Sequence, residues 1–361
     1  MMPNNSTEMA KYVRSITHDA VTDSFLSMQT LNDEPLSVFR QFPPEPSEVV
    51  AQLVFGGCGY HEDAMAAMGE VTWPMMWQQG DSCSGKHVAG TQVLTVKGAD
   101  IRRLEWKGRI VGSFWSNADA DYCLLAGVMP DDLNASRPVQ ARQVFENIGR
   151  ILTSAGMSFN NVVRTWFFMD HLLDWYGEFN TVRTDFFKER GVFQRLVPAS
   201  TGIGAVNPSG SALLAGALAI RPKHAGITIK AVPSPLQCPA LDYSSSFSRA
   251  VELGFPDYRH LIISGTASIA PGGKTMHEGD AKSQIDLTMR VVEKILDSRR
   301  MNWNSTVRAI AYFERMDDAP LLAEYCQSHG IQNLPVINAH ATVCRSDLLF
   351  EIELDAVAAR G

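Results

Sequence analysis

Apolar residues recur along the chain with two different periods. Short apolar or alternating runs at Arg109–Trp115, Tyr122–Gly127, Val162–Phe168, Ala212–Ile220, His260–Ser264 and Val307–Phe313 predict strands. Further strands are expected at Ser244–Ala250, at Ala341–Cys344 and at Leu348–Asp355. Between these runs the period lengthens. Ile285, Met289, Val292 and Leu296, with Ile295 beside them, form the stripe of a half-buried helix. An earlier helix has Pro138 near its start and Gly156 just past its end, where helices favour them. Second helices follow at Leu173–Arg190 and Ala319–His329.

The same pattern occurs twice. Ile148, Ile151, Leu152, Val163-Arg164, Phe168 and Asp174 match Val292, Ile295, Leu296, Val307-Arg308, Tyr312 and Asp318, always 144 positions on. Upstream, Leu124-Leu125-Ala126-Gly127 matches Ile262-Ile263-Ser264-Gly265 at an offset of 138. A repeat this long marks a duplicated domain rather than a stacked array. Each copy reads β-β-α-β-α-β, which predicts an α+β fold with helices packed on one face of a sheet. Residues 105–230 and 238–361 are expected to form the two units. Residues 1–104 are left as an N-terminal arm, loose over Met1–Thr30, followed by an elaboration or a degenerate unit with strands at Val49–Phe55 and Thr91–Val96.

Composition narrows the class. Of 361 residues, 45% are hydrophobic and 20% charged, which suits a globular chain with sizeable cores. A net charge of −7 argues against a nucleic-acid surface. The first thirty residues lack the pattern of a secretory signal, and the longest apolar run, Ala212–Ile220, is too short to span a bilayer. A cytoplasmic location without membrane attachment is expected. The six cysteines contain no C-x-x-C pair and the nine histidines no H-E-x-x-H, so no metal is expected. Pro271-Gly272-Gly273-Lys274-Thr275 looks like part of a phosphate loop, but Ser268 stands where its first glycine belongs, so a hairpin turn is expected. Gly202-Ile203-Gly204 lacks the third glycine of a dinucleotide fingerprint.

Two acids near the C-terminus carry the candidate chemistry. Glu351 and Glu353 share one face of an otherwise apolar strand. Either both lie on a solvated sheet face, or one is buried and works as a general acid. Cys344 precedes Glu351 by an odd number of residues, so the turn at Arg345-Ser346-Asp347 must break the strand register if both are to line one pocket.

The order of elements, with Val162-Val163-Arg164-Thr165 following a glycine-terminated helix, resembles the Rid (YjgF-type) family, whose units have a chorismate-mutase-like fold with sites between neighbours. Pro198-Ala199-Ser200-Thr201 and Pro335-Val336-Ile337-Asn338 lack the arginine of that family's carboxylate-gripping motif. Without it a carboxylate loses a charge-assisted hydrogen bond of roughly 1.5–3 kcal/mol, which disfavours simple imine deamination. The chain more closely resembles the chorismatase family, which fuses two such units. The resemblance rests on Phe179-Asn180 with Arg183, Pro198 through Gly204, Phe247-Ser248-Arg249-Ala250, Ser264 through Ile269, and Cys344-Arg345 followed by Glu351-Ile352-Glu353. The link Gln237–Ser246 is shorter than in that family, and the family's Trp-Asn-Tyr is here Trp166-Phe167-Phe168, which removes polar groups expected near a substrate.

The resemblance implies removal of an enolpyruvyl group from chorismate, or a related cyclic enol ether, as pyruvate. It implies Glu351 as the acid, and Cys344 as the residue found in members that form a hydroxybenzoate rather than a dihydroxycyclohexadiene carboxylate. Arg345, Arg183 and Arg164 are candidates for gripping a carboxylate substrate, since arginine suits bidentate recognition. Thr201, Gly202, Gly265 and Thr266 complete the implied site. For Arg164 a solvated strand position is the competing reading, because Arg308 repeats it. No cofactor is implied, and the assembly is either a pseudo-trimeric monomer or a homo-oligomer. An imine or enamine hydrolase and a non-catalytic small-molecule binder remain alternatives.

Overall fold

The computed structural model describes residues 9–18, 20–30, 34, 36–40, 45–80, 88–243 and 245–360. They form three sheets rather than two. The first contains β1 (Met9–His18), β2 (Val21–Thr30), β3 (Val49–Phe55), β4 (Met75–Gln78) and β5 (Gly90–Lys97), with short helices α1 (Ser37–Arg40) and α2 (His61–Met68). The second contains β6 (Arg102–Trp106), β7 (Arg109–Ser116), β8 (Ala120–Val128), β9 (Val162–Met169), β10 (Ala199–Gly204) and β11 (Leu213–Pro222), backed by α3 (Arg137–Ser154) and α4 (Leu172–Glu189). The third contains β12 (Thr228–Val232), β13 (Ala250–Gly254), β14 (Tyr258–Ala267), β15 (Thr306–Phe313), β16 (Val336–His340) and β17 (Phe350–Ala359), backed by α5 (Ala281–Ser298) and α6 (Ala319–Ser328).

Strand order makes the sheets equivalent. The second runs β6-β7-β8-β11-β9-β10 and the third β12-β13-β14-β17-β15-β16. The first, β1-β2-β5-β3-β4, is the same arrangement without its first edge strand. Each ends in a parallel pair, β3-β4, β9-β10 or β15-β16, beside an otherwise antiparallel sheet. The α+β reading therefore holds. The expected N-terminal arm is corrected from Met9 onward: β1 and β2, ten residues each, form a hairpin docked on β5.

The offset of 144 is visible in the atoms. Residues 140–175 and 284–319 both run helix, single turn, strand, helix. The turn before β9 is closed by a capping box of Ser158 and Asn161, and the turn before β15 by Asn302 and Ser305 at the equivalent positions. Two expected strands are misplaced. Residues 245–249 are irregular, and the strand starts at Ala250. Ala341–Cys344 makes only a bridge from Thr342 to Gly204, because the strand lies earlier, at Val336–His340. The proposed boundary after 104 falls inside β6, and β12 already pairs with the third sheet before 238.

The sheets close into a ring. Each terminal edge strand packs on the next sheet: β4 on β8, β10 on β14, β16 on β2. Registers identify equivalent residues on the inner faces. Phe55, Phe168 and Tyr312 are one such triple, and their rings meet at the centre, with Phe55 6.1 Å from Phe168 and 6.0 Å from Tyr312. Ala51, Arg164 and Arg308 form a second triple, and Gln92, Gly216 and Glu353 a third. Glu353 is fully buried and is gripped by both arginines, with the Trp166 indole N–H donating to it at 2.9 Å. Arg308 also reaches Asp355 at 2.7 Å and Gln92 of the first sheet at 2.8 Å. Burying ions is costly unless they are paired and hydrogen-bonded, and these are.

Arg164→Met leaves Glu353 short of one of its two cations, so it should lower stability by about 3–5 kcal/mol. Adding Glu353→Leu to that variant should recover much of the loss. Guanidinium unfolding of the parent, single and double variants measures both effects, and a single variant as stable as the parent would refute the role of this cluster.

Candidate active site

The clefts of the ring lie where one sheet's terminal strand meets the next sheet, and one of them collects most of the candidate residues. It is lined by Tyr176, Arg183, Ser200 and Gly202 from the second unit, and by Ser245, Phe247, Arg249, Gly265, Cys344, Arg345 and Glu351 from the third. Backbone and side-chain bonds fix the two walls together. The Ser200 N–H donates to Ser264 Oγ at 2.9 Å, and the Ser248 N–H to the Pro198 carbonyl at 3.0 Å.

Glu351 sits on β17 opposite Ala267 of β14 and Tyr312 of β15. Its carboxyl needs the missing side chain at Gly265, where a Cβ would come within 2.0 Å of Glu351 Oε1. A register shift in β14 between Ile263 and Thr266 presents Gly265 to the acid. No hydrogen bond is donated to Glu351 among the described residues. Burial pushes it up to about 8, and the neighbouring Glu353 anion pushes the same way against Arg164 and Arg249. Glu353 goes down instead, because the Arg164 and Arg308 guanidinium groups and the Thr201 hydroxyl outweigh its burial. Two carboxyls on one strand face are thus driven apart, one protonated and one ionised near neutral pH.

Three arginines line the same cleft as the acid. Arg183 on α4 is held by Asn180 Oδ1 at 2.6 Å, and Arg249 by the Cys238 carbonyl at 3.0 Å. Their guanidinium carbons lie 6.0 and 5.5 Å from the Phe247 ring, so one aromatic side chain positions both. Arg345 donates to the Gly273 carbonyl at 2.6 Å, which ties it to the turn at 270–275. That turn is a hairpin closed by an Ile269–Thr275 bridge, as expected, and carries no phosphate-loop geometry. Cys344 lies in the irregular segment after β16, so strand parity does not apply and it faces the same cleft as Glu351. Burial, reinforced by Glu351, pushes its thiol up to about 12, and it stays protonated.

Three candidates fall behind the cleft rather than on its wall. Arg164 is neither solvated nor at the surface of the pocket. It is wholly buried, bonded to Glu353, to Thr201 Oγ1 at 2.6 Å and to the Ile263 carbonyl at 3.2 Å. Thr201 accepts from Arg164 and from the Gly265 N–H at 3.0 Å, bridging the two units. Thr266 turns its hydroxyl back to the Ser264 carbonyl at 2.9 Å. Phe167 and Phe168 are also away from the cleft, in the second unit's core and at the ring centre, so the loss of polarity there does not touch the pocket. Arg249, within Phe247-Ser248-Arg249-Ala250, is a site residue that the sequence pattern does not single out. It precedes β13 in irregular chain, where no periodicity marks a functional side chain.

Register shows why this cleft differs from its two counterparts. Gly90, Leu214 and Glu351 are equivalent positions, so only the third sheet places an acid there. At Gly90 a Cβ would meet the Met28 carbonyl at 2.3 Å and Ile337 of β16 at 3.2 Å.

The chain is similar to several known proteins. A family model described as Endoribonuclease L-PSP matches residues 121–221. The chain is 25% identical over 265 residues to a chorismatase of Streptomyces hygroscopicus, covering 67% of this chain and 73% of that protein. It is 26% identical over 262 residues to a 3-hydroxybenzoate synthase of the same organism, covering 65% and 74%. A chorismatase crystal structure superposes with a TM-score of 0.64 at 18% identity, covering 96% of this chain and 98% of that one, which establishes the fold. No helix among the described residues is long and apolar enough to cross a membrane.

Glu351 also makes stability depend on pH. From about 4.5 to about 8 the folded chain keeps a proton at Glu351 that the unfolded chain releases, so stability falls as pH rises through this window. Glu351→Gln removes the effect. Thermal melts at pH 5 and pH 9 should show the parent losing more stability than the variant, and equal losses would mean that Glu351 ionises normally.

Proposed function

We propose that this chain, a divergent relative of the chorismatases with tandem Rid-like units, cleaves the enolpyruvyl ether of chorismate and releases pyruvate. The observation that carries the reading is a buried, protonated Glu351 facing a cleft with three arginines. An exposed Glu351 would have favoured a binding protein. Chorismate brings two carboxylates, and Arg345, Arg183 and Arg249 supply cations for both. Glu351 donates its proton to the terminal methylene carbon, and the resulting oxocarbenium ion weakens the ether bond to the ring. Loss of a ring proton with the ether bond gives a hydroxybenzoate and pyruvate with no net water. Capture of water instead gives a dihydroxycyclohexadiene carboxylate. Cys344, neutral and close to the acid, favours the first outcome by excluding water from that side of the ring.

Arg164 and Thr201 act as positioning residues, holding Glu353 ionised and Gly265 in place. The free volume of the cleft is about 50 Å³, so a ring-bearing diacid enters only as Arg345 or the link at 245–247 moves aside. All walls of the site come from one chain, which supports a pseudo-trimeric monomer as the active form.

Incubation with chorismate, followed by assay of pyruvate and chromatography of the ring product, tests the reading. Absence of pyruvate would remove it. Glu351→Gln should lower kcat by roughly 10²–10⁴, and parent activity should decline above about pH 8 as the acid ionises. Parent-like turnover in the Gln variant would eliminate Glu351 as the acid.

Arg345 is tested by affinity. If it grips a substrate carboxylate, Arg345→Ala should weaken binding of an unreactive chorismate analogue by roughly 2–5 kcal/mol. Arg345→Lys should restore only part, since lysine lacks the bidentate fork. Equal affinities in calorimetric titrations of all three proteins would assign the grip to Arg183 and Arg249.

A further inference from the structure

A cavity lies inside the ring, and none of its lining residues belongs to the acid-bearing cleft. All three sheets contribute to its walls, with Leu94 from the first, Leu218 from the second and Leu253 from the third. Trp166 and Arg308 line the end nearest the buried Glu353, which both of them contact. The free volume is about 80 Å³, room for several water-sized groups. Register places one polar residue from each sheet at a single level of this cavity. Asp23 pairs with Val96, Tyr122 with Ile220 and His260 with Val357, and these partners are equivalent positions on β5, β11 and β17. A carboxyl, a phenol and an imidazole thus surround the axis of the ring at one level, and all three line the cavity.

The acids around this level are paired, except one. Asp119 Oδ2 lies 2.5 Å from His18 Nε2 and Asp119 Oδ1 2.8 Å from His224 Nε2. Asp355 is bonded to Arg308 at 2.7 Å and to His260 at 2.9 Å. Asp23 has a buried Oδ1 without a hydrogen-bond partner, and no cation pairs with it among the described residues. Burial pushes its carboxyl up to about 6, with His260 and His18 pulling the other way, so it is mostly ionised above neutral pH. An ionised carboxyl buried without a partner is costly, and a bound cation removes that cost. The other two groups offer acceptors beside it. Burial works against ionisation of Asp355, but Arg308 and His260 hold it well below the usual carboxylate range. His260 Nε2 must therefore be the donor to Asp355, which leaves the Nδ1 of the neutral ring with its lone pair. The Tyr122 oxygen accepts from Asn117 at 3.3 Å and has a second lone pair.

We propose that the axial cavity is a binding site for a small primary amine in its ammonium form, with Asp23 as counter-ion and a short alkyl tail along Leu94 and Leu218. A primary ammonium has three N–H donors, which match three acceptors set around one axis. The leucines beyond that level favour an alkyl tail over water, since apolar cavities hold water poorly. Levels two residues apart along a strand are separated by roughly 6.6 Å, so a tail of about four carbons reaches from Asp23 to the leucines. The site stands on this cavity alone and does not depend on the reading of the acid-bearing cleft.

The probe is n-butylammonium, titrated at about pH 7.5 in a phosphate buffer free of other amines and followed by ligand-observed NMR and by melting temperature. The parent should bind it and melt higher in its presence. Two relatives of the probe, 1-butanol without the charge and butyltrimethylammonium without N–H donors, should each bind about tenfold more weakly or worse. Asp23→Asn should lower affinity for n-butylammonium by about tenfold or more, and Leu218→Phe should weaken it by filling the path of the tail while keeping the carboxylate. Without amine, Asp23→Asn should melt no lower than the parent, because it removes a buried charge that has no partner. Circular dichroism confirms that the variants fold, and the comparison of the three probes on the parent decides the matter even where a variant does not. No binding to the parent, equal binding of either relative, unchanged affinity in a folded Asp23→Asn, or a lower melting temperature of that variant without amine overturns the proposal.

Discussion

The buried anion at Glu353 is the constraint around which this molecule is arranged. It lies on the inner face of β17 and draws Arg164 from the second sheet, Arg308 from its own sheet and, through Arg308, Gln92 from the first. Closing the ring is therefore inseparable from neutralising one carboxylate. Such pairs rarely add stability over a well-packed apolar core, but breaking one is costly. Their value here is positional. An apolar centre could close in several registers, whereas Glu353 is satisfied only when both arginines, Trp166 and Thr201 arrive together.

That anion also sets the state of the residue beside it. Glu351 shares its strand face and its burial, but the cations and the Thr201 hydroxyl are already committed to Glu353. Glu351 is left with low dielectric, a like charge two residues away and distant arginines, which together favour the protonated form. The acid and its tuning group thus come from one short segment, positioned by strand pairing on both sides rather than by a flexible loop.

Much of this architecture was legible in the sequence because two copies kept helix, turn and strand at constant spacing. The first copy of the ring was not. Its helices have shrunk to Ser37–Arg40 and His61–Met68, too short to show a helical period, and it lacks one edge strand. Without helices the strands at Val49–Phe55 and Thr91–Val96 had no frame to match. Within the site, the acid and the Cys344-Arg345 turn could be read from motif and alternation. The place of Arg164 could not, since a strand pattern reports which face a residue occupies but not whether that face meets water or another sheet. Asp355, on the same face as both glutamates and bonded to Arg308 and to His260 at 2.9 Å, was hidden by the same ambiguity.

Three equivalent clefts with one acid raise the question of what keeps the other two from doing the same chemistry. At Gly90 the answer is crowding, because a Cβ there would meet the Met28 carbonyl at 2.3 Å and Ile337 at 3.2 Å. At Leu214 it is polarity. An acid placed there would lie on the same strand face as Gly216, which has no charge to offer, and Leu218, where the third sheet has Glu353 and Asp355. Burial alone would still raise its pKa, but no ionised neighbour would reinforce the shift and no arginine pair would hold the strand in register against a second carboxylate. The protonated state of Glu351 therefore depends on its burial and on the Glu353 anion beside it, not on its own position alone. Glu353 and Asp355 are ionised and structural, and the Glu353 charge helps keep Glu351 protonated.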